Sequence, residues 1–303
     1  MLKEEIVKRL ANNDALFNKL HVIKQKFDII PEHNEHIGTC IKYLDISEMR
    51  NEFINDLVDT IVDWVYSSEK YEELVKVFVA KGKSTASANS EVLRKAHQKF
   101  RKGSAEELLI QGQFGELLLF NFIQKHFGAV PLLRKMKITT SSKHERFGAD
   151  AIHYKIEEGK NIVILGEAKT YTSNYKFNEA FQAALDSILD TYQKHREELN
   201  LYIHEDFLDS EMNEIAESYL EGTLENAEIH LVSIITYNET KKINTNSQDK
   251  IHEQIETIIK ERFKNFDKTK IDIDLNPILG RITYIIFPVW ELEQLARTLQ
   301  DCL

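Results

Sequence analysis

Two β-rich runs separated by a short polar turn constrain the fold of this chain more than any other feature. Residues 149–156 and 162–168 are dominated by aliphatic and β-branched side chains, and residues 158–161 between them are Glu-Gly-Lys-Asn, a combination typical of turns. The pattern predicts a β-hairpin that reverses near Gly159. A hairpin fixes which residues of its two strands lie side by side, so it also predicts which polar side chains meet.

Two acids and a lysine fall near the end of this hairpin that is opposite the turn. Asp150 stands at the start of the first run, and Glu167 and Lys169 follow the apolar part of the second. Residues two apart in a strand leave the same face of the sheet, and cross-strand neighbours lie about 5 Å apart. We therefore expect the three side chains to lie close together.

Such a group is suited to metal-assisted chemistry on a phosphate. Two carboxylates can hold Mg²⁺, which keeps several waters and accepts phosphate oxygens. A lysine beside them can orient the attacking water and stabilise the negative charge of the phosphate. An ordinary explanation stays open, because 29% of the residues are charged and Glu-x-Lys also occurs by chance. Lys169 would then only pair with a neighbouring carboxylate.

The size and composition of the chain are those of a globular protein. Its 303 residues suffice for one large or two ordinary domains, and 42% of them are apolar, enough for a full core. Cys40 and Cys302 match no metal-binding spacing and are compatible with a reducing cytoplasm. There is no secretory signal and no apolar run of membrane-spanning length, so we expect a cytoplasmic protein without a membrane partner.

The net charge limits how the chain could bind nucleic acid. It is −10, whereas non-specific affinity for DNA comes from lysines and arginines that displace counterions. Either basic residues are concentrated locally or a partner delivers the DNA, and we expect both. The candidate DNA-binding residues are those of the densest basic run, Arg94, Lys95, Lys99, Arg101 and Lys102. The same run could instead dock an acidic partner surface or form a solvated helical face.

By its residue pattern, the chain divides into a mainly helical N-terminal region and a larger α/β region. Residues 2–20 and 47–66 have helical periodicity, with β-favouring residues between them. Residues 81–90, rich in serine and other small residues, are the candidate linker. We therefore predict a mixed α/β, partner-binding region over 1–90 and a second domain over 91–303.

The larger region alternates helices and strands. A capping box at Ser104 predicts a helix that contains Glu116 and ends before Gly128. A strand over 130–140 and the hairpin follow. The remaining predicted elements are a helix over 175–199, a strand over 229–237, a helix over 248–266, a strand over 282–287 and a helix over 290–303. The predicted fold is α/β, with a mixed sheet flanked by helices.

This order of elements resembles the restriction-endonuclease-like PD-(D/E)xK nuclease superfamily, whose core is αβββαβ. The resemblance spans roughly residues 104 to 237 and includes a glutamate in the first helix, an aspartate on the second strand and Glu-x-Lys on the third. By this resemblance Asp150 is the metal-binding aspartate, Glu167 the second acidic ligand and Lys169 the catalytic lysine. Glu116 corresponds to an additional acid that many members use.

The motif sequences also resemble those of the HamA family, the nuclease subunits of Hachiman antiphage defence systems. The similar segments are Gly-Ala-Asp150-Ala-Ile-His, Leu-Gly-Glu167-Ala-Lys169-Thr-Tyr and, upstream of both, Gly-Glu116. Ala149 stands where the superfamily motif has proline, a departure that removes no ligand.

These resemblances imply a Mg²⁺-dependent deoxyribonuclease, with Mn²⁺ as a substitute metal, controlled by a HamB-like helicase partner that senses invading DNA. They imply metal binding by Asp150 and Glu167. Gln182, in the helix after the hairpin, resembles accessory polar residues of such sites, although a purely structural glutamine is the plainer explanation. Two alternatives stay open: a stand-alone restriction or repair nuclease, and a non-catalytic regulatory subunit with a nuclease-like fold.

Overall fold

The structure of the chain, a computed structural model, is built on one large mixed β-sheet with helices on both faces. It describes residues 6–99, 110–133, 148–173, 176–202 and 210–303. The described strands are β1 (Leu20–Gln25), β2 (His36–Ile41), β3 (Tyr43–Leu44), β4 (Ser47–Glu48), β5 (Val130–Leu133), β6 (Ala151–Glu157), β7 (Lys160–Tyr171), β8 (Ala227–Asn238) and β9 (Ile282–Val289).

Helices account for most of the remaining described residues. They are α1 (Asp14–Asn18), α2 (Arg50–Asp59), α3 (Ile61–Val65), α4 (Ser68–Ala80), α5 (Thr85–His97), α6 (Ile110–Phe127), α7 (Phe177–Tyr202), α8 (Ser210–Glu221), α9 (Gln248–Asn265) and α10 (Leu292–Asp301). Two short 3-10 segments, Lys268–Lys270 and Pro277–Arg281, lie between α9 and β9. From α6 to β8 the described order is helix, three strands, two helices and a strand, which includes the predicted αβββαβ series.

Seven strands form the main sheet in the order β1-β2-β9-β8-β7-β6-β5, and β3 pairs with β4 separately. The pairs β7–β8, β8–β9 and β9–β2 are parallel, whereas β1–β2, β5–β6 and β6–β7 are antiparallel. The predicted mixed α/β fold is confirmed. Its central strands are parallel, and an antiparallel strand pair or hairpin lies at each edge.

The predicted hairpin is present as β6 and β7, joined by the two residues Glu158 and Gly159. Its register runs from Glu157 opposite Lys160 to Ala151 opposite Gly166. Glu158 and Gly159 both have positive φ, 52° and 76°, the geometry of a two-residue turn that matches the twist of the strands. A slip of one residue would turn every side chain to the other face, so this turn fixes which face each acid occupies.

Strand β7 is buried on both of its faces. Ile162 and Ile164 belong to the apolar cluster that includes α6, and Val163 and Leu165 belong to the cluster that includes α7. Alternate residues of a strand point to opposite faces, so α6 and α7 cover opposite sides of β7. A near-continuous apolar run is expected for a strand covered on both faces.

A buried ion pair joins α9 to the end of β8. Glu239 accepts two hydrogen bonds from Arg262, at 3.0 and 2.7 Å, and one each from the N–H groups of Thr240 and Lys241. Burial raises the pKa of the Glu239 carboxyl, but these donors and the Arg262 charge lower it by more. Glu239 is therefore ionised at neutral pH, with its charge compensated inside the fold.

Two of the N-terminal predictions were wrong. The helix predicted over 2–20 is interrupted within the described residues from Lys8 to Asn13, a stretch that ends in the turn-favouring Asn12 and Asn13, and β1 begins at Leu20. The linker predicted over 81–90 is mostly the start of α5, because the Ser84 side chain accepts the N–H of Ser87 at 3.2 Å. Serines that suggest a linker therefore cap a helix here.

The N-terminal region also contributes strands β1 and β2 to the main sheet, next to β9. The predicted division at residue 90 falls within α5, and the two-domain organisation stays a prediction. Several predicted features lie outside the described residues: the capping box at Ser104, Arg101, Lys102 and the end of the strand predicted over 130–140.

Gly128 follows α6 with a φ of 61°, which confirms the predicted end of that helix. Cys40 is buried, Cys302 is exposed, and both are free thiols. Among the described helices, none combines the length and the apolar character that crossing a bilayer requires.

Candidate functional site

The hairpin places Asp150 beside the triplet Glu167-Ala168-Lys169. Asp150 comes directly before β6, and its N–H donates to the carbonyl of Gly166 at 3.0 Å. Its Oδ2 accepts a hydrogen bond from the N–H of Ala168 at 2.8 Å. Main-chain and side-chain contacts together hold the half-buried carboxylate against β7.

Glu167 and Lys169 leave the same face of β7 and form an ion pair. The Lys169 Nζ donates to Oε1 of Glu167 at 3.0 Å. Only 3% of the surface of Glu167 is exposed, whereas 28% of the Lys169 side chain is accessible. The carboxylate is thus fixed inside the fold, and part of the lysine side chain is accessible to solvent.

The neighbours of Lys169 determine its charge. Burial by itself lowers the pKa of Lys169, but the Glu167 carboxylate in contact with it and the Asp150 carboxylate raise this pKa by more. The net pKa lies above the ordinary value of 10.5, so Lys169 is positively charged at neutral pH. In this state it can donate hydrogen bonds to an anion or to a water molecule, but it cannot take up a proton.

Helix α7 supplies two hydroxyl groups that hold Glu167. The Ser187 Oγ donates to Oε1 of Glu167 at 2.6 Å and accepts from the Lys169 Nζ at 3.1 Å. The Thr191 Oγ1 donates to Oε2 of Glu167 at 3.1 Å. Each oxygen of the buried carboxylate therefore has a fixed donor, as a charge in the interior requires.

The same helix also fixes the residues that lead into Asp150. Glu198, which is 6% exposed, accepts the N–H of Ala149 through Oε2 at 2.7 Å. Gly148 has a φ of 124°, and a Cβ at this position would lie 2.3 Å from the carboxyl carbon of Glu198. Glycine is the residue that avoids both the strain and the overlap. Helix α7 therefore anchors both acids of the hairpin.

Ser187, Thr191 and Glu198 were missed by sequence reasoning. They follow one another at intervals of four and seven residues, which places them along one face of α7. Buried apolar residues such as Leu185 and Ile188 lie beside them. A row of polar residues at helical spacing next to an apolar stripe is a detectable signal, but the pattern alone does not show which strand this face contacts.

Glu116 and Gln182 lie on the two helices that cover β7. Glu116 is on α6, whose Gly115 approaches β7 so closely that a Cβ there would lie 2.5 Å from the Thr170 Oγ1. This helix packs on the face of β7 opposite to Glu167. Gln182 is on α7, where its Nε2 donates to Asp186 at 2.8 Å, and its Oε1 is buried without a hydrogen-bond partner in the described structure.

The candidate DNA-binding residues that the structure describes are on or directly after α5. Arg94 forms an ion pair with Glu91. The Lys95 Nζ lies 5.7 Å from the centre of the Phe78 ring on α4. Lys99 is half-buried just after α5. These side chains belong to a surface built by α4 and α5, separate from the elements that carry Asp150, Glu167 and Lys169.

The chemistry of the acids fits a hard divalent cation. A carboxylate has about four acceptor positions, and Glu167 uses three of them for Lys169, Ser187 and Thr191. One position on its Oε2 is left for a metal. No group of three or more His, Cys, Asp or Glu side chains arranged for a metal occurs in the parts of the chain that the structure describes. Two carboxylates with several waters are the usual protein ligands of Mg²⁺.

Comparison with protein-family models gave a match over most of the chain. The family model of HamA matches residues 15–303, a range that includes the whole main sheet and every residue of the candidate site. A search of the curated proteins gave no match.

Proposed function

The chain belongs to the HamA family, a family of Hachiman antiphage defence, and we propose that it is the metal-dependent DNA nuclease of such a system. The observation that carries the proposal is the arrangement of three groups at one end of the hairpin. Asp150 accepts the amide of Ala168, and that residue stands between Glu167 and Lys169, which are 3.0 Å apart.

Asp150 and Glu167 would hold Mg²⁺ or Mn²⁺ between them. When bound, the metal would polarise the scissile phosphodiester and lower the pKa of a coordinated water. Ser187 and Thr191 keep the Glu167 carboxylate in one orientation, which is the usual task of residues behind a metal ligand. Glu116 is the further acid that we propose for the site, as a ligand or in a contact behind one. Because α6 covers the face of β7 opposite to Glu167, Glu116 would reach the site from the other side of the strand.

Lys169 has a separate task in this proposal. Because its pKa is raised, it stays an ammonium group at neutral pH, so it does not serve as the base that deprotonates water. It would donate hydrogen bonds to the attacking water and to a non-bridging oxygen of the phosphate, where negative charge develops. Its second partner, Ser187, limits the directions in which the ammonium group can point.

We further propose that a HamB-like helicase controls the nuclease and delivers its DNA. The net charge of −10 supports this part of the proposal, because a chain with this charge repels DNA at long range unless a partner or a local basic surface compensates.

The test uses linear and supercoiled DNA with Mg²⁺ or EDTA, each with and without the helicase. We expect Glu167→Gln and Lys169→Met to lower cleavage by about 100-fold or more, and EDTA to abolish it. The matched controls are Glu157→Gln and Lys155→Met, because these residues form a Lys-x-Glu pair, 2.8 Å apart, nearer the turn of the same hairpin. Full cleavage by both site variants would reject the catalytic assignment. No cleavage under any condition would favour the non-catalytic alternative.

A further inference from the structure

Helices α4 and α5 form a surface arm that the candidate active site does not use. They pack against each other, and α4 contains no buried residue. Val77 and Val79 are 39% and 41% exposed, and Leu93 on α5 is 37% exposed. We call this pair of helices the α4–α5 arm. A helix without a buried side chain gains little stability from the core, so its sequence is free to serve another purpose.

Three lysines of the arm surround one aromatic ring. The Nζ atoms of Lys81, Lys83 and Lys95 lie 5.8, 5.6 and 5.7 Å from the centre of the half-buried Phe78 ring. Cations at this distance are attracted by the face of the ring. Lys83 also contacts Glu91 at 2.7 Å, whereas no carboxylate among the described residues pairs with Lys81 or Lys95.

The charge of the arm is opposite to that of the whole chain. From residue 68 to residue 97 the arm contains six lysines and arginines and four glutamates, a net charge of +2, although the chain has a net charge of −10. Three of the glutamates precede residue 75, so Glu91 is the one acid in the part that carries Lys81, Lys83 and Lys95. Three ammonium groups within about 6 Å of one ring repel one another. An anion with several negative charges would relieve this repulsion and would find the groups already positioned.

We infer that the α4–α5 arm binds the phosphate backbone of DNA through Lys81, Lys83 and Lys95, an inference that rests on the proposed nuclease function. Lysine suits phosphates because it is a point charge that can approach them from many directions. The exposed Val77 and Val79 lie beside these lysines in the chain and offer apolar contact to bases. Because the bases of single strands have open faces and those of duplexes do not, single-stranded DNA is the favoured ligand.

The test measures binding without cleavage. Fluorescence anisotropy of a labelled single-stranded oligonucleotide is recorded in EDTA, over a range of salt concentrations, for the full chain and for the triple variant Lys81→Gln, Lys83→Gln, Lys95→Gln. We expect the variant to bind about tenfold more weakly or worse, and the slope of log affinity against log salt to fall by about 2, because each phosphate contact contributes about 0.7.

A second triple variant controls for the change in net charge. Lys250→Gln, Lys264→Gln and Lys270→Gln removes three exposed lysines from other parts of the surface, and we expect it to keep the parental salt slope. An equal loss in both variants, or no loss in the arm variant, would overturn the inference. Loss of helicase binding with unchanged DNA affinity would also overturn it and would assign the arm to an acidic protein surface.

This assay separates the inference from the function on which it rests. A chain that binds DNA through the arm but cuts none supports the arm and rejects the nuclease. If the parent chain cuts DNA and the arm variant binds DNA as tightly as the parent, the nuclease is supported and the role of the arm is rejected. Circular dichroism of each variant checks that the helices are retained.

Discussion

Replacing Gly148 by alanine tests how α7 positions Asp150. Gly148 stands two residues before Asp150, at a φ of 124° that alanine rarely adopts. Its Cβ would lie 2.3 Å from the carboxyl carbon of Glu198 and equally close to one of its oxygens. The substitution therefore forces either the Glu198 carboxylate or the main chain ahead of Asp150 to move.

The size of the effect follows from two terms. A non-glycine residue held at such a φ costs about 1–3 kcal/mol. Movement of Glu198 breaks its hydrogen bond with the N–H of Ala149, and hydrogen bonds to charged groups contribute about 1.5–3 kcal/mol. The free energy of unfolding should therefore fall by about 2.5–6 kcal/mol, a large part of the stability of a typical protein.

Urea unfolding of four variants measures these terms separately: Gly148→Ala, Glu198→Ala, the double variant of the two, and Gly222→Ala. Gly222→Ala is the matched control, because Gly222 also has a positive φ, 74°, but nothing lies within 4 Å of its Cβ position. It should cost about 1–2 kcal/mol. In the double variant Gly148→Ala, Glu198→Ala the carboxylate that overlaps is gone. We expect the free energy of unfolding of the double variant to be close to that of Gly148→Ala alone. Its loss of stability should be well below the sum of the losses in Gly148→Ala and Glu198→Ala.

Two results would refute this reasoning. Gly148→Ala could cost no more than Gly222→Ala, which would mean that the contact with Glu198 does not constrain the segment. The two single effects could also add in full, which would mean that Gly148 and Glu198 act independently. DNA cleavage by Gly148→Ala, measured below its unfolding transition, should be reduced as well, because either movement removes the contact between Glu198 and Ala149 that holds the segment before Asp150.

Further predictions concern the donors behind Glu167 and the ion pair of Glu239. Ser187→Ala and Thr191→Val should each lower DNA cleavage by about 10–100-fold without loss of helicity. The control Thr257→Val, on the exposed face of α9, should leave cleavage unchanged. Equal cleavage rates for all three variants would contradict the proposal that Ser187 and Thr191 position Glu167. The stability contributed by Glu239 is present above the ordinary carboxyl pKa of 4.5 and is lost as the pH falls through the lowered pKa of the folded state. Between pH 7 and pH 3, the urea midpoint of unfolding should therefore decline less steeply for Glu239→Gln than for the parent chain. The same decline in both proteins would show that Glu239 does not determine the loss of stability in acid.

The hairpin was predictable because its determinants are local. The β-branched runs and the polar residues 158–161 between them predict both strands and a reversal near Gly159 without information from the rest of the chain. The turn itself is shorter than the predicted four residues, because Lys160 and Asn161 already belong to β7. Alternation along β7 then places Glu167 and Lys169 on one face. The ion pair between them and the contact of Asp150 with the Ala168 amide are consequences of the hairpin register.

The polar contacts from α7 were not predictable in the same way. The apolar positions of that helix show that one face is buried, but they do not show that Ser187 and Thr191 contact Glu167 or that Glu198 contacts Ala149. Those contacts depend on how the helix crosses the sheet. The position of β1 and β2 beside β9 is non-local for the same reason.

The serine-rich run near residue 85 shows a different limit. Serine is common both in linkers and at helix N-caps, and local composition does not separate the two. Here the Ser84 hydroxyl accepts an amide of the first turn of α5. The basic residues on both sides of this cap consequently come together around Phe78 instead of being spread along an extended segment.

The pairing of β2 with β9 has a consequence for biosynthesis. β2 ends at Ile41 and its partner begins at Ile282, so the ribosome must add most of the chain before this pair can form. At about 5–20 residues per second, the delay is on the order of tens of seconds. During translation the early hairpin of β1 and β2 therefore presents an unsatisfied strand edge, which is a site for chaperone binding or aggregation. Completion of the sheet is coupled to synthesis of the last strand.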